Sequence, residues 1–152
     1  MKSTNHSLEG KTCLITGATN GIGRVTAVAL AGMGAELFLT YRDMTRADET
    51  VAEIRSKTGN ERVHLLHADL GSQREIRAAA AEFLATGKPL HVLVNNAGLG
   101  DTKRLVTEDG IEMVFAVNHL AYFLLTMLLL DRIKQRALPV SLLNLGSGSI
   151  VI

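Results

Sequence analysis

The stretch Thr16-Gly17-Ala18-Thr19-Asn20-Gly21-Ile22-Gly23 is the part of this sequence best suited to chemistry. Glycines at this spacing suit the binding of a phosphate. Gly17 permits a tight turn off a preceding strand. Gly21 lets the backbone approach an anion with no Cβ in the way, and Gly23 allows the following helix to pack closely. The free N–H groups and the positive end of that helix then face the anion. Thr19, Asn20 and Ile22 belong to the same candidate set. A second group is Tyr41-Arg42-Asp43. An arginine there can pair a phosphate through charge-assisted hydrogen bonds worth about 1.5–3 kcal/mol each. An acid would instead repel a phosphate. Arg24, at the start of the first helix, would add positive charge. The single cysteine, Cys13, has no helix start or basic neighbour to lower its pKa, and reads as a small buried hydrophobe.

These residues need a frame. The chain has 152 residues, 47% hydrophobic and 20% charged, with a formal net charge of +1. That is the balance of one globular domain, with no nucleic-acid surface and no polybasic membrane patch. Residues 1–10 form a polar N-terminal tail without an apolar signal core, so a cytoplasmic location is expected. Apolar runs then alternate with helical stretches. Strands are expected over Lys11–Thr16, Glu36–Thr40, Arg62–His67, Leu90–Val94 and Val140–Leu145. Helices are expected over Ile22–Met33, over Met44–Lys57 (closed by Thr58-Gly59-Asn60), and from Ser72 to about Ala85. Ser72-Gln73-Arg74-Glu75 has the spacing of a capping box. A long fourth helix, capped by Asp109 with Glu112, runs to about Arg136, and Pro139 breaks it. Its segment Met113–Leu130 is apolar and about long enough to span a bilayer, but Asn118, His119 and Thr126 interrupt it. A buried or interfacial helix is expected, not a membrane span.

Strands apolar on both faces, such as Val92-Leu93-Val94, suit a parallel sheet covered by helices. The expected fold is α/β, a Rossmann-like doubly wound parallel sheet over residues 11–152. Ligands in such sheets bind beyond the carboxyl ends of the strands, where strand order switches. The glycine turn, Asp69-Leu70 after the third strand and Asn95-Asn96-Ala97-Gly98 after the fourth all fall there.

The spacing Gly-x-x-x-Gly-x-Gly, with Asp69-Leu70 and Asn95-Asn96-Ala97-Gly98 behind it, resembles the short-chain dehydrogenase/reductase family. Thr107-Glu108-Asp109-Gly110, Val117-Asn118-His119-Leu120 and Phe123-Leu124-Leu125-Thr126 are similar to its retinol-dehydrogenase-like branch. Together the motifs cover Lys11 to Ser147. The resemblance implies a nicotinamide dinucleotide cofactor. Arg42 then favours NADP(H), and Asp43, were the strand to run longer, would favour NAD(H). Asp69 and Leu70 are expected at the adenine; Asn95, Ala97 and Gly98 join the cofactor-binding set, in a compact turn whose side-chain amides tie neighbouring strands and whose small residues leave room for a ribose. The implied activity is alcohol/carbonyl interconversion by hydride transfer, on a hydrophobic substrate.

In the family a Ser-Tyr-Lys set with a helix asparagine moves the proton, since a phenol is a poor base near neutrality unless a cation lowers its pKa. Asn118 and Ser147 match the asparagine and the serine, with Ser149 a weaker candidate. The Tyr-x-x-x-Lys pair is absent: four residues after Tyr41 and Tyr122 stand Thr45 and Thr126. His119 reads as a packing residue, and no metal site is expected. The sequence therefore reads as truncated after the fifth strand and inactive alone. The apolar helix around 110–136 is left as a surface for self-association or a partner. The alternative is a non-catalytic nucleotide-binding or sensor protein acting through such a partner.

Overall fold

The computed structural model describes residues 7–100, 103–135 and 141–144. Five strands form one parallel sheet: β1 (Thr12–Ile15), β2 (Glu36–Tyr41), β3 (Val63–His67), β4 (Val92–Asn95) and β5 (Ser141–Asn144). Their order is β3-β2-β1-β4-β5. Ile15 pairs with Leu39 on one side and Val94 on the other, and Asn95 stands beside Asn144. The chain moves outward from β1 to β3, then crosses back to β4 and β5. This is the expected doubly wound arrangement, and its switch in direction lies between β1 and β4. The fourth strand begins and ends later than the apolar run suggested, which carries Asn95 into the ladder. Arg136, Pro139, Val140 and Leu145 lie outside the described residues.

Alternation along each strand feeds two cores. Cys13, Ile15, Leu37, Leu39 and Val94 meet Ala27 and Ala31 of α1 (Gly21–Gly32) and Val51 and Ile54 of α2 (Met44–Thr58). Leu14, Phe38, Leu66 and Leu93 face the opposite layer, with Ile76, Ala79, Ala80 and Phe83 of α3 (Gln73–Ala85). Each large side chain buried in this way contributes roughly 1.5–3 kcal/mol. The α2 stripe Ala47, Thr50, Val51 and Ile54 has the i, i+3, i+4, i+7 spacing of one helix face. That helix stops where Gly59 adopts a left-handed φ of +68°. Leu8, ahead of β1, donates its N–H to Met33 O at 2.8 Å and packs on the first core.

Two caps differ from the sequence expectation. Ser72 Oγ accepts from Glu75 N at 3.4 Å, but Glu75 does not reach back to Ser72. Its Oε2 accepts instead from Asp69 N at 2.7 Å, because the turn brings that donor nearer. Of the two acids before the fourth helical segment, Glu112 is the cap, accepting from Val114 N and Phe115 N. Those bonds hold its carboxyl below the usual range. Asp109 accepts from Gln73 N at 2.9 Å, at the start of α3.

The long helix is not uniform. It comprises α4 (Met113–Phe115), a π-helical turn over Ala116–Leu120, and α5 (Ala121–Lys134). By length and composition Met113–Lys134 could cross a membrane. In this fold Ala121, Leu125 and Leu129 instead close the second core against α3. Phe115, Phe123 and Met127 stay exposed.

Candidate functional site

The glycine turn joins β1 to α1. Gly17 has φ +66°, and a Cβ there would lie 2.7 Å from Ala97 Cα. Gly21 has φ +49°, with nothing within 4 Å of its would-be Cβ. Open space thus stands where an anion would approach the backbone. Asn20 caps α1, and its Oδ1 accepts from Gly21 N at 2.8 Å. Gly23 serves a closer contact than helix against strand. A Cβ there would lie 2.3 Å from both Gly17 O and Asn96 Nδ2.

In front of the turn opens a cleft of about 440 Å³. Gly17, Thr19, Asn20, Gly21 and Ile22 form one wall. Tyr41, Arg42, Asp43 and Arg46 form another at the end of β2, with Asp69 and Leu70 beyond β3. Asn96, Ala97, Gly98, Leu99 and Val117 close the side toward β4. The predicted Gly17, Thr19, Asn20, Gly21, Ile22, Arg42, Asp69, Leu70, Ala97 and Gly98 are therefore gathered at one cavity.

Arg42 and Asp43 both line the cleft but have different partners. Asp43 is the N-cap of α2: its Oδ1 accepts from Arg46 N at 3.2 Å, and Oδ2 stands 3.9 Å from Arg46 Nε. That carboxylate caps the helix while also lining the cleft. Arg42 Nη1 lies 4.0 Å from Asp69 Oδ2 with its side chain largely in solvent. Asp69, which also lines the cleft, accepts from Gly71 N at Oδ1 and has Oδ2 on the side of Arg42. Arg24 is not available as expected. It is ion-paired with Glu53, whose carboxyl is held low by hydrogen bonds from Lys57 and then Arg24. The second cation at the cleft is Arg46, which the sequence reading missed. Its signal was its place in the first turn of the helix that follows Arg42.

Asn95 ties neighbouring strands as expected but stands apart from the cofactor-binding set, while Asn96 joins it. Asn95 is fully buried and does not line the cleft. Its Nδ2 donates to Asn144 Oδ1 at 2.9 Å and Thr126 Oγ1 at 3.2 Å, tying β4 to β5 and α5. Asn96 faces the site and braces the turn, donating from Nδ2 to Thr16 O and Gly17 O at 3.0 and 3.1 Å. Thr16, also missed, accepts at Oγ1 from the N–H groups of Asn96 and Ala97, both at 3.0 Å. The residue type was the available signal: a hydroxyl where a strand ends at a glycine turn.

Asn118 sits in the π-helical turn, a feature that recurs at functional sites. Its Oδ1 accepts from Leu99 N and its Nδ2 donates to Leu99 O, both at 2.9 Å. It braces the cleft from behind without lining it. His119 stacks on Phe115, with ring centroids 5.2 Å apart. Tyr122 donates its hydroxyl to Ala97 O, and burial pushes its phenol up. Cys13 is buried, and burial pushes its thiol to about 11, which removes it as a nucleophile. Ser147 and Ser149 lie outside the described residues. No metal-binding cluster of His, Cys, Asp or Glu occurs among the described residues.

The comparisons with known proteins agree with this geometry. The short chain dehydrogenase family model matches residues 11–151. Mouse retinol dehydrogenase 12 is 45% identical over 145 residues, which are 95% of this chain and 46% of the relative. Mouse polyprenol dehydrogenase is 46% identical over 143 residues, 94% of this chain and 41% of the relative. The chain thus spans less than half the length of these relatives. Among solved structures, the RhlG/NADP complex of Pseudomonas aeruginosa has a TM-score of 0.75 at 28% identity, covering 90% of this chain and 54% of that one. A short-chain dehydrogenase of Sphingobium yanoikuyae in complex with NADPH has a TM-score of 0.70 at 32% identity, covering 82% and 49%. A family-model match over nearly the whole sequence, joined to relatives about 45% identical over the same span, makes this chain a member of the short chain dehydrogenase family, on its retinol-dehydrogenase-like branch.

Proposed function

We propose that residues 11–152 form the NADP(H)-binding part of an oxidoreductase that interconverts an alcohol and a carbonyl, with residues 1–10 a tail outside it. When bound, the nicotinamide would supply the hydride. The carrying observation is the charge at the end of β2: Arg42 and Arg46 line the cleft, while Asp43, the acid that would favour NAD(H), caps α2. Two relatives of known structure are NADP and NADPH complexes, which supports the same cofactor. The fit is also steric, since the space before Gly21 is open and the cleft runs from Arg42 past the turn to Gly98.

In this reading Gly17, Thr19, Asn20, Gly21 and Ile22 surround the pyrophosphate, and Gly23 lets α1 start close enough to present its N–H groups. Arg42 and Arg46 take the 2′-phosphate. Asp69 and Leu70 hold the adenine, with Asp69 Oδ2 as acceptor for its amino group. Ala97 and Gly98 leave room for a ribose, and Asn95 supports them from inside the sheet. Asn118 and Ser147 would serve the reacting end. The Tyr-x-x-x-Lys pair is not in this sequence, so the 152-residue chain alone binds without turnover. The names of the relatives favour a hydrophobic alcohol or carbonyl as substrate of the complete site. The packing of α5 on α3 favours a core helix over a membrane span for residues 113–134.

The second reading, a nucleotide-binding protein that acts through a partner or a second copy, draws on the exposed Phe115, Phe123 and Met127. Both readings share the cleft. Arg42→Ala tests it: NADPH affinity is expected to fall roughly tenfold or more, as for loss of one or two charge-assisted hydrogen bonds, with NADH little changed. Equal loss for both cofactors would sink the assignment of Arg42 to the 2′-phosphate.

A further inference from the structure

We propose that Tyr122 is a positioning residue for the nicotinamide half of the dinucleotide, acting through the backbone strap Asn96–Leu99; this rests on the cofactor reading above. The strap carries Ala97, Gly98 and Leu99 along the β4 side of the cleft. Small side chains leave such a segment little means of holding itself. One edge is pinned by the glycine turn, through Thr16 Oγ1 and the two bonds from Asn96 Nδ2. The other edge is pinned by the helix. Asn118 brackets Leu99, and one turn later Tyr122 donates its hydroxyl to Ala97 O.

The position of Tyr122 gives this bond its consequence. The residue is buried, and its phenol is pushed up by burial, so it remains a donor throughout the neutral range. In a trans peptide the C=O and the following N–H point in opposite directions. Holding Ala97 O on α5 therefore turns the Gly98 N–H away from the helix. A dinucleotide lying across the switch point places its adenosine over β2 and β3 and its second ribose toward β4 and β5. The strap lies on that second side, so its peptide orientation bears on the nicotinamide half and not on the adenosine half.

The test uses Tyr122→Phe in the full 152-residue chain, with NADPH and 2′,5′-ADP as probes. The latter carries the adenosine and the 2′-phosphate but lacks the nicotinamide riboside. NADPH binding is expected to weaken roughly three- to tenfold, the effect of one neutral hydrogen bond, while 2′,5′-ADP stays within about twofold. Equal weakening of both ligands means that Tyr122 only supports the fold, and overturns the proposal. So does unchanged NADPH binding. A wild-type chain that binds neither probe overturns the cofactor reading and this proposal together. A second measurement leaves Tyr122 itself unchanged. The chain has two tyrosines, so Tyr41→Phe assigns the Tyr122 Cζ resonance in a 13C-tyrosine-labelled sample. NADPH must shift that resonance in the wild-type chain and 2′,5′-ADP must leave it in place; a resonance unmoved by NADPH overturns the proposal.

Discussion

Replacing Gly23 with alanine separates the architecture of the turn from its binding role. A Cβ at Gly23 would stand 2.3 Å from Gly17 O and 2.3 Å from Asn96 Nδ2. Neither atom is a free end, because Asn96 Nδ2 is itself bonded to Thr16 O and Gly17 O. Helix and turn must therefore separate by about an ångström, as in overpacking of a core, at roughly 1–3 kcal/mol. Loss of one or both Asn96 bonds adds about 0.5–1.5 kcal/mol each. The helix propensity of alanine returns up to about 1 kcal/mol. The net cost is about 1–5 kcal/mol, or roughly 3–15 °C in melting temperature for a domain of this size. Gly21→Ala is the control. Its Cβ meets nothing within 4 Å, but φ is +49°, so it costs about 1–2 kcal/mol of backbone strain and puts a methyl group where the anion approaches. Thermal unfolding by circular dichroism, paired with NADPH titration, reads both variants. Gly23→Ala should lower the melting temperature more, while Gly21→Ala should abolish binding at a smaller thermal cost. A Gly23→Ala chain as stable as wild type would refute the close approach of α1 to the turn and Asn96.

Further outcomes follow from the same geometry. Arg24→Ala should leave the preference between NADPH and NADH unchanged in titrations, because Arg24 is paired with Glu53; a loss of that preference would return Arg24 to the phosphate site. Glu36 is partly buried, which pushes its carboxyl up, but hydrogen bonds from Lys88 and His64 outweigh this and hold it below the usual range. A carboxyl depressed in the fold adds stability that is complete above its unfolded pKa and lost as pH falls through the folded value. Melting temperature should thus drop from about pH 5 downward, and Glu36→Gln should flatten that slope; an unchanged slope would assign it elsewhere. The purified chain should show no NADPH oxidation above background with hydrophobic aldehydes, and measurable turnover would contradict the need for the Tyr-x-x-x-Lys pair.

Much of the fold was legible because continuous apolar runs such as Cys13-Leu14-Ile15 and the α2 stripe are local patterns. The cleft was legible for a similar reason: glycine turns and strand ends announce backbone geometry. What escaped depends on contacts across the sheet. Asn95 and Asn96 are adjacent and chemically identical. One further residue of strand decides which points inward, toward Thr126, and which faces the turn. Arg24 looked free because its partner Glu53 lies 29 residues away on another helix. Asp43 looked like a ribose ligand, yet it also caps α2. The π-helical turn is one residue of excess in an apolar helix, invisible to hydrophobic period, yet it faces Asn118 onto Leu99.

The measurement that bears most directly on the account is calorimetric titration of the 152-residue chain with NADPH and with NADH at a fixed, near-physiological salt concentration. The cleft predicts saturable binding of both, with NADPH favoured by roughly tenfold or more through charge-assisted bonds to its 2′-phosphate. NADH binding as tightly as NADPH, or neither cofactor binding to a folded chain, would contradict it.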